Sequence, residues 1–107
     1  MPKILLVEDD PFILEIYTKK FETSGFEVVS ALTGREALKK AREGAFDLIL
    51  LDMVIPELAG IEVLRELRSN KEYNPGLKVV IFSNLSSVEE QQDALKTGAN
   101  GFISKTN

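Results

Sequence analysis

Cysteine and histidine are both absent from the 107 residues. Without cysteine there is neither a disulfide framework nor a thiolate metal site, and without histidine the usual zinc sites and imidazole acid–base chemistry are excluded as well. The missing cysteines permit a reducing compartment without requiring one. Long hydrophobic runs are also lacking. The N-terminus MPKILLVED holds a short apolar stretch closed off by acids, too short for a signal-peptide core and far short of the roughly 20 residues of a spanning helix. Nor is there an excess of positive charge: a net charge of -4 with scattered basic residues argues against a sequence-independent nucleic-acid surface. Asn84-Leu85-Ser86 matches a glycosylation sequon in form, and with no secretory signal the match is chance. These absences point to a cytoplasmic chain with no direct nucleic-acid partner and no membrane.

What is present is ordinary for a folded domain. The chain is 44% hydrophobic and 28% charged, which sets disorder aside. At 107 residues it makes one domain, able to bury roughly 60 to 70% of the surface of its unfolded form.

Along the chain, apolar runs alternate with helical patterns. Lys3 to Val7 reads as a buried strand ending in Glu8, Asp9 and Asp10. Asp10 then caps a helix that opens on Pro11, carries Ile13, Ile16, Tyr17 and Phe21 at helical spacing, and stops at Gly25. Glu27 to Leu32 is a second strand, and Thr33-Gly-Arg-Glu36 has the form of a capping box. It starts a helix with Ala37, Leu38 and Ala41 on one side, ending near Gly44. Phe46 to Leu51 is the third strand, followed by Asp52 and a loop closed by Pro56. A helix through Ile61, Leu64 and Leu67, with Val63 flanking, ends by Ser69-Asn70, and Lys71 to Gly76 is loop. Lys78 to Phe82 is the fourth strand. Ser86-Ser87 with Glu89 and Glu90 offers a second capping box for a helix through Val88, Ala94 and Leu95 to Gly98, and Gly101 to Ser104 is the fifth strand. Strict alternation of this kind implies an α/β fold: a doubly wound parallel sheet of five strands, right-handed crossovers and helices on both faces.

Four strand ends then face one crevice and bring Glu8, Asp9, Asp52, Ser83 and Lys105 towards it, where open α/β sheets place their ligands. Carboxylates gathered there repel, by roughly 1 to 4 kcal/mol for a pair at about 4 Å. A hard divalent cation relieves this, and oxygen-only ligands favour magnesium, calcium or manganese. Each residue has a plainer use too. Glu8 and Asp9 suit solvated acids near a helix start, and Asp52 suits a loop-opening aspartate bonded to its own backbone. Ser83 suits a turn and Lys105 a solvated terminal charge. Taken together, two acids, a third acid, a hydroxyl and a lysine suit phosphoryl transfer to a carboxylate, with Asp52 as the nucleophile. A phosphatase of the haloacid-dehalogenase type would carry another acid two residues after the nucleophile, and here that residue is Val54.

These motifs resemble the receiver domain of two-component response regulators over essentially the whole chain. KILLVEDD is similar to the family's first strand and acidic pair, DLILLDMVIPELAG to its phosphoacceptor segment, VVIFSN to the fourth strand with its hydroxyl, and GANGFISK to the fifth with its lysine. The resemblance implies a flavodoxin-like sheet in the order 2-1-3-4-5. It implies that Asp52 is phosphorylated by a sensor histidine kinase or phosphotransfer protein. It further implies that Glu8, Asp9, Asp52 and the Val54 carbonyl hold Mg2+, that Ser83 and Lys105 contact the phosphoryl group, and that Phe102 is the switch aromatic. The protein would then be a phosphorylation-operated switch and not a turnover enzyme, changing the surface of its fourth helix and fifth strand for a downstream effector or output domain.

Three departures from the family pattern stand out. Asn84 replaces a small alanine, and Val54 and Leu85 place apolar groups where attacking water would approach, so slow dephosphorylation is expected. Thr106 stands where the family has a proline after the lysine, and a non-proline bond there is expected to be trans. The family's closing fifth helix is missing from residues 1–107, which otherwise form one receiver domain with no output domain. The face around the third, fourth and fifth strands is then expected to expose apolar side chains until a longer chain, a homodimer, a swapped element or a partner covers it. Two other functions fit the class less well. A receiver-like interaction module that works without phosphorylation has no need of the acid, hydroxyl and lysine set. A flavodoxin-like nucleotide binder needs a glycine- or hydroxyl-rich loop where this chain has Glu8-Asp9-Asp10.

Overall fold

The central strands of this chain come from apolar runs with no polar side, and such runs suit only a sheet covered on both faces. The computed structural model describes residues 1–83 and 88–104, with Ser83 and Ser104 as backbone only. In chain order the elements are β1 (Lys3–Val7), α1 (Pro11–Thr23), β2 (Glu27–Ala31), α2 (Gly34–Glu43), β3 (Leu48–Leu51), α3 (Gly60–Ser69), β4 (Lys78–Ser83), α4 (Val88–Thr97) and β5 (Gly101–Ser104). All strand pairs are parallel, and the sheet order is β2-β1-β3-β4-β5. The expected doubly wound architecture is therefore the observed one.

Alternation along the strands divides the core in two. Leu5, Val7, Ile49, Leu51, Val79 and Ile81 point to the side where α2, α3 and α4 lie. Ile4, Leu6, Leu50 and Phe82 point to the other side, which α1 covers through Ile13, Leu14, Tyr17 and Phe21. Tyr17 meets the Phe82 ring edge-on at 4.8 Å between centroids. Burial on this α1 side is uneven. Phe82 and Leu50 are covered, Leu48 and Val80 are half-buried, and Ile103, opposite Phe82 in register, is 48% exposed. Among the described residues no helix is long and apolar enough to cross a membrane.

The helix starts follow their capping residues. Asp10 Oδ1 accepts from the Phe12 amide at 2.9 Å with Pro11 at the first helical position. The Thr33 hydroxyl accepts from the Glu36 amide at 3.0 Å. The return half of that box reaches one residue further back than the pattern predicts, because Glu36 Oε1 accepts from Leu32 at 2.7 Å and not from Thr33. Gly25 and Gly98, just past the ends of α1 and α4, take the left-handed conformation that helix ends use. The proposed cap at Ser86-Ser87 lies outside the described residues.

Several boundaries and faces differ from expectation. β3 begins at Leu48, because Phe46 turns out to pack against the α2 side with the Lys3 ammonium 5.1 Å from its ring centroid. α1 packs the half-buried Leu14 against the sheet in place of Ile16, which is 58% exposed. In α3 the buried set is Gly60, Val63, Leu64 and Leu67, while Ile61 is only half-covered. In α4, Ala94 alone is fully buried, and Val88 and Leu95 face solvent.

Candidate functional site

Register brings the acids together. Val7 pairs with Leu51, so the next residues, Glu8 and Asp52, leave adjacent strands side by side. Their backbones continue the ladder: the Asp52 amide donates to the Val7 carbonyl at 3.2 Å, and the Glu8 amide to the Ala31 carbonyl at 3.0 Å. Both side chains are nearly sealed, Glu8 at 1% and Asp52 at 4% exposure, while Asp9 is open to solvent. Carboxylate oxygens of Glu8, Asp9 and Asp52 all lie within 4.8 Å of one another. This is a hard, oxygen-only donor set with two buried members, and the chain has no cysteine or histidine to offer. Such a set fits a magnesium-like cation held by a few carboxylates and water.

Asp52 also makes the plainer contact expected of a loop-opening aspartate, since its Oδ1 accepts from the Val54 amide at 3.1 Å. The two uses are compatible, because a carboxylate has two oxygens and about four acceptor positions. Val54 itself projects into solvent at 64% exposure. The loop then turns back tightly. Gly60 donates its amide to the Met53 carbonyl at 2.9 Å, and a Cβ on Gly60 would overlap the Asp52 carbonyl.

β4 and β5 complete the row of strand ends. Ser83 pairs with Ser104 in register, so the residue after β5, Lys105, follows directly from the strand beside Ser83. The Ser83 side chain and Lys105, like Asn84, Leu85 and Thr106, lie outside the described residues. Phe102 pairs with Ile81 and is half-buried against the α2, α3 and α4 side of the core.

Two features had weaker sequence signals. Gly34 is buried at the first position of α2, and its only mark in the sequence is a glycine at a place where no turn requires one. Arg68, near the end of α3, donates to the Leu77 and Gly98 carbonyls and to Asn100 Oδ1 at 2.6, 2.9 and 2.8 Å. Burial lowers its pKa from the usual guanidinium value. Nothing local in sequence marks that clamp, which joins α3 to the turn before β5 at the end of the sheet away from the acids.

A family model described as response regulator receiver domain matches residues 4–107. Over 102 residues the chain is 40% identical to the transcriptional regulatory protein ZraR of Escherichia coli strain K12, covering 95% of this chain and 22% of that protein. Among solved structures it is similar to the chemotaxis response regulator CheY4 of Vibrio cholerae, with a TM-score of 0.92 at 31% identity over 100% of this chain and 88% of that one. It is also similar to the response regulator TrrA of Thermotoga maritima, solved in complex with Mg(2+)-BeF, with a TM-score of 0.86 at 31% identity over 99% and 88% of the two chains. The chain spans 22 to 43% of the length of the curated relatives it matches.

Proposed function

The chain belongs to the response regulator receiver domain family, and from that membership we propose that Asp52 accepts a phosphoryl group from a sensor histidine kinase or phosphotransfer protein. What supports this most is the acid cluster, in which three carboxylates from two strand ends sit within 4.8 Å, two of them buried. In the transfer, an Asp52 oxygen bonds to phosphorus as the bond from phosphorus to the donor atom breaks. The donor leaves with that electron pair, and a mixed anhydride remains on Asp52. Glu8, Asp9, Asp52 and the Val54 carbonyl would hold Mg2+, which when bound supplies positive charge to offset the phosphoryl oxygens. The Ser83 hydroxyl and the Lys105 ammonium contact those oxygens from the neighbouring strands.

The output is a change of shape. Drawing Ser83 towards the phosphoryl group vacates space for the half-buried Phe102 ring, and the α4–β5 surface changes for a downstream effector or output domain. We assign residues 1–107 to this receiver unit, acting in the cytoplasm as a switch and not as a turnover enzyme. Incubation with a small phosphodonor and magnesium, followed by intact mass, tests the reading. Wild type should gain one phosphoryl and Asp52→Asn none. No gain in wild type would leave a phosphorylation-independent interaction module as the better account.

A further inference from the structure

The first turn of α2 is seated against the loop that follows Asp52. Gly34 donates its amide to the Pro56 carbonyl at 3.1 Å, and that same carbonyl accepts from the Leu58 amide at 2.9 Å. Beside this pair, Arg35 and Glu57 form an exposed ion pair at 3.9 Å, with Glu57 in the left-handed conformation at φ 74°. Gly34 is buried, and the space around it is already filled. A Cβ there would come within 2.6 Å of Leu58 Cβ, 2.7 Å of the Leu58 carbonyl oxygen and 3.0 Å of Val63 Cγ2. The first two atoms are fixed by the loop backbone, so no rotamer change makes room. The Gly34 φ is not in the left-handed region, so the position uses the missing side chain and not backbone freedom.

The far end of the same loop is tied to the reacting group. The Val54 amide meets Asp52 Oδ1 at 3.1 Å, and Gly60 closes back on Met53 at 2.9 Å. Residues 53–59 are thus held between the Asp52 carboxylate and the first turn of α2. We infer that Gly34 is a positioning residue for the Asp52 site: by carrying no side chain it lets α2 hold this loop where the Val54 amide fixes the Asp52 carboxylate for cation binding and phosphoryl acceptance. The inference rests on the reading of Asp52 as a cation-binding phosphoacceptor. A side chain at Gly34 pushes the loop away from α2 and loosens the carboxylate through the Val54 amide, as changes to other outer partners of metal ligands do.

Calorimetric titration of the unphosphorylated protein with magnesium chloride separates this role from plain packing. The control is Gly44→Ala at the other end of α2, whose added Cβ would crowd the Phe46 ring at 3.0 Å and touches nothing in the loop. With each protein confirmed folded by circular dichroism, Gly34→Ala is expected to bind magnesium about tenfold more weakly than wild type, and Gly44→Ala to match wild type. Should Gly34→Ala fail to fold, Thr33→Val removes only the hydroxyl cap on the same turn, and it must bind magnesium more weakly than Gly44→Ala. Wild-type affinity in the folded loop-side variant, or equal weakening in both variants, overturns the assignment. A wild type that takes up no magnesium refutes the site reading itself and the assignment with it, whereas binding by wild type and an unaffected Gly34→Ala refutes the assignment alone.

Discussion

Replacing Asp52 by asparagine should remove most of the stability that magnesium adds to the protein. The Glu8 and Asp52 carboxylates are both buried with oxygens within 4.8 Å. At an effective dielectric near 20, two full charges at that separation repel by about 3 kcal/mol. The substitution removes one charge of that pair, and with it the repulsion that a bound cation would offset. Asp9 is exposed, so its share is screened by water and salt. With magnesium about a hundredfold above its dissociation constant, mass action adds about 2.7 kcal/mol to wild type, which for a domain of this size raises the melting temperature by roughly 12 °C. Thermal melts followed by circular dichroism, with EDTA and then with excess magnesium chloride, measure both halves of the argument. Wild type should gain stability from magnesium through mass action, and Asp52→Asn should lose most of that gain. An Asp52→Asn protein that gains as much stability from magnesium as wild type would refute the electrostatic account of the cluster.

Three further outcomes follow from other contacts. The Leu32 amide donating to its carboxylate, against a smaller upward push from burial and with Lys40 beside it, holds Glu36 below the ordinary carboxylate value of 4.5. A carboxylate lowered on folding contributes stability that is present above about pH 4.5 and is lost as pH falls through the folded value, so Glu36→Gln should flatten the acid limb of the stability profile; an unchanged limb contradicts this. Arg68→Met leaves the three oxygens it serves without their cation and should cost about 2 to 3 kcal/mol in urea unfolding, whereas a loss under 1 kcal/mol would mean the clamp is incidental. With Val54 exposed beside Asp52 and apolar, the phosphorylated protein in magnesium buffer should keep its phosphoryl group for minutes, and loss within seconds counts against that shielding.

Much of the fold is legible because parallel strands buried on both faces leave unbroken apolar runs. ILLV before Glu8 and LILL before Asp52 mark the strand ends and, with them, the acids. Asp10 before Pro11 is equally plain, since cap chemistry is local. The misread faces have a common cause. α1 carries Phe12, Ile13, Leu14, Ile16 and Tyr17 in close succession, so its apolar surface wraps too widely for periodicity to choose between Leu14 and Ile16. Packing under Tyr17 and Phe82 makes the choice. α3 is turned away from Ile61 because Gly60 must approach the Asp52 carbonyl. Gly34 and Arg68 act on segments distant in sequence, and no local pattern announces a contact of that kind.

The central claim is that Asp52 stores a phosphoryl group. Intact mass of wild type and Asp52→Asn after exposure to a small phosphodonor with magnesium tests it most directly. One phosphoryl on wild type and none on the variant is the predicted result, and equal phosphorylation of both would contradict it.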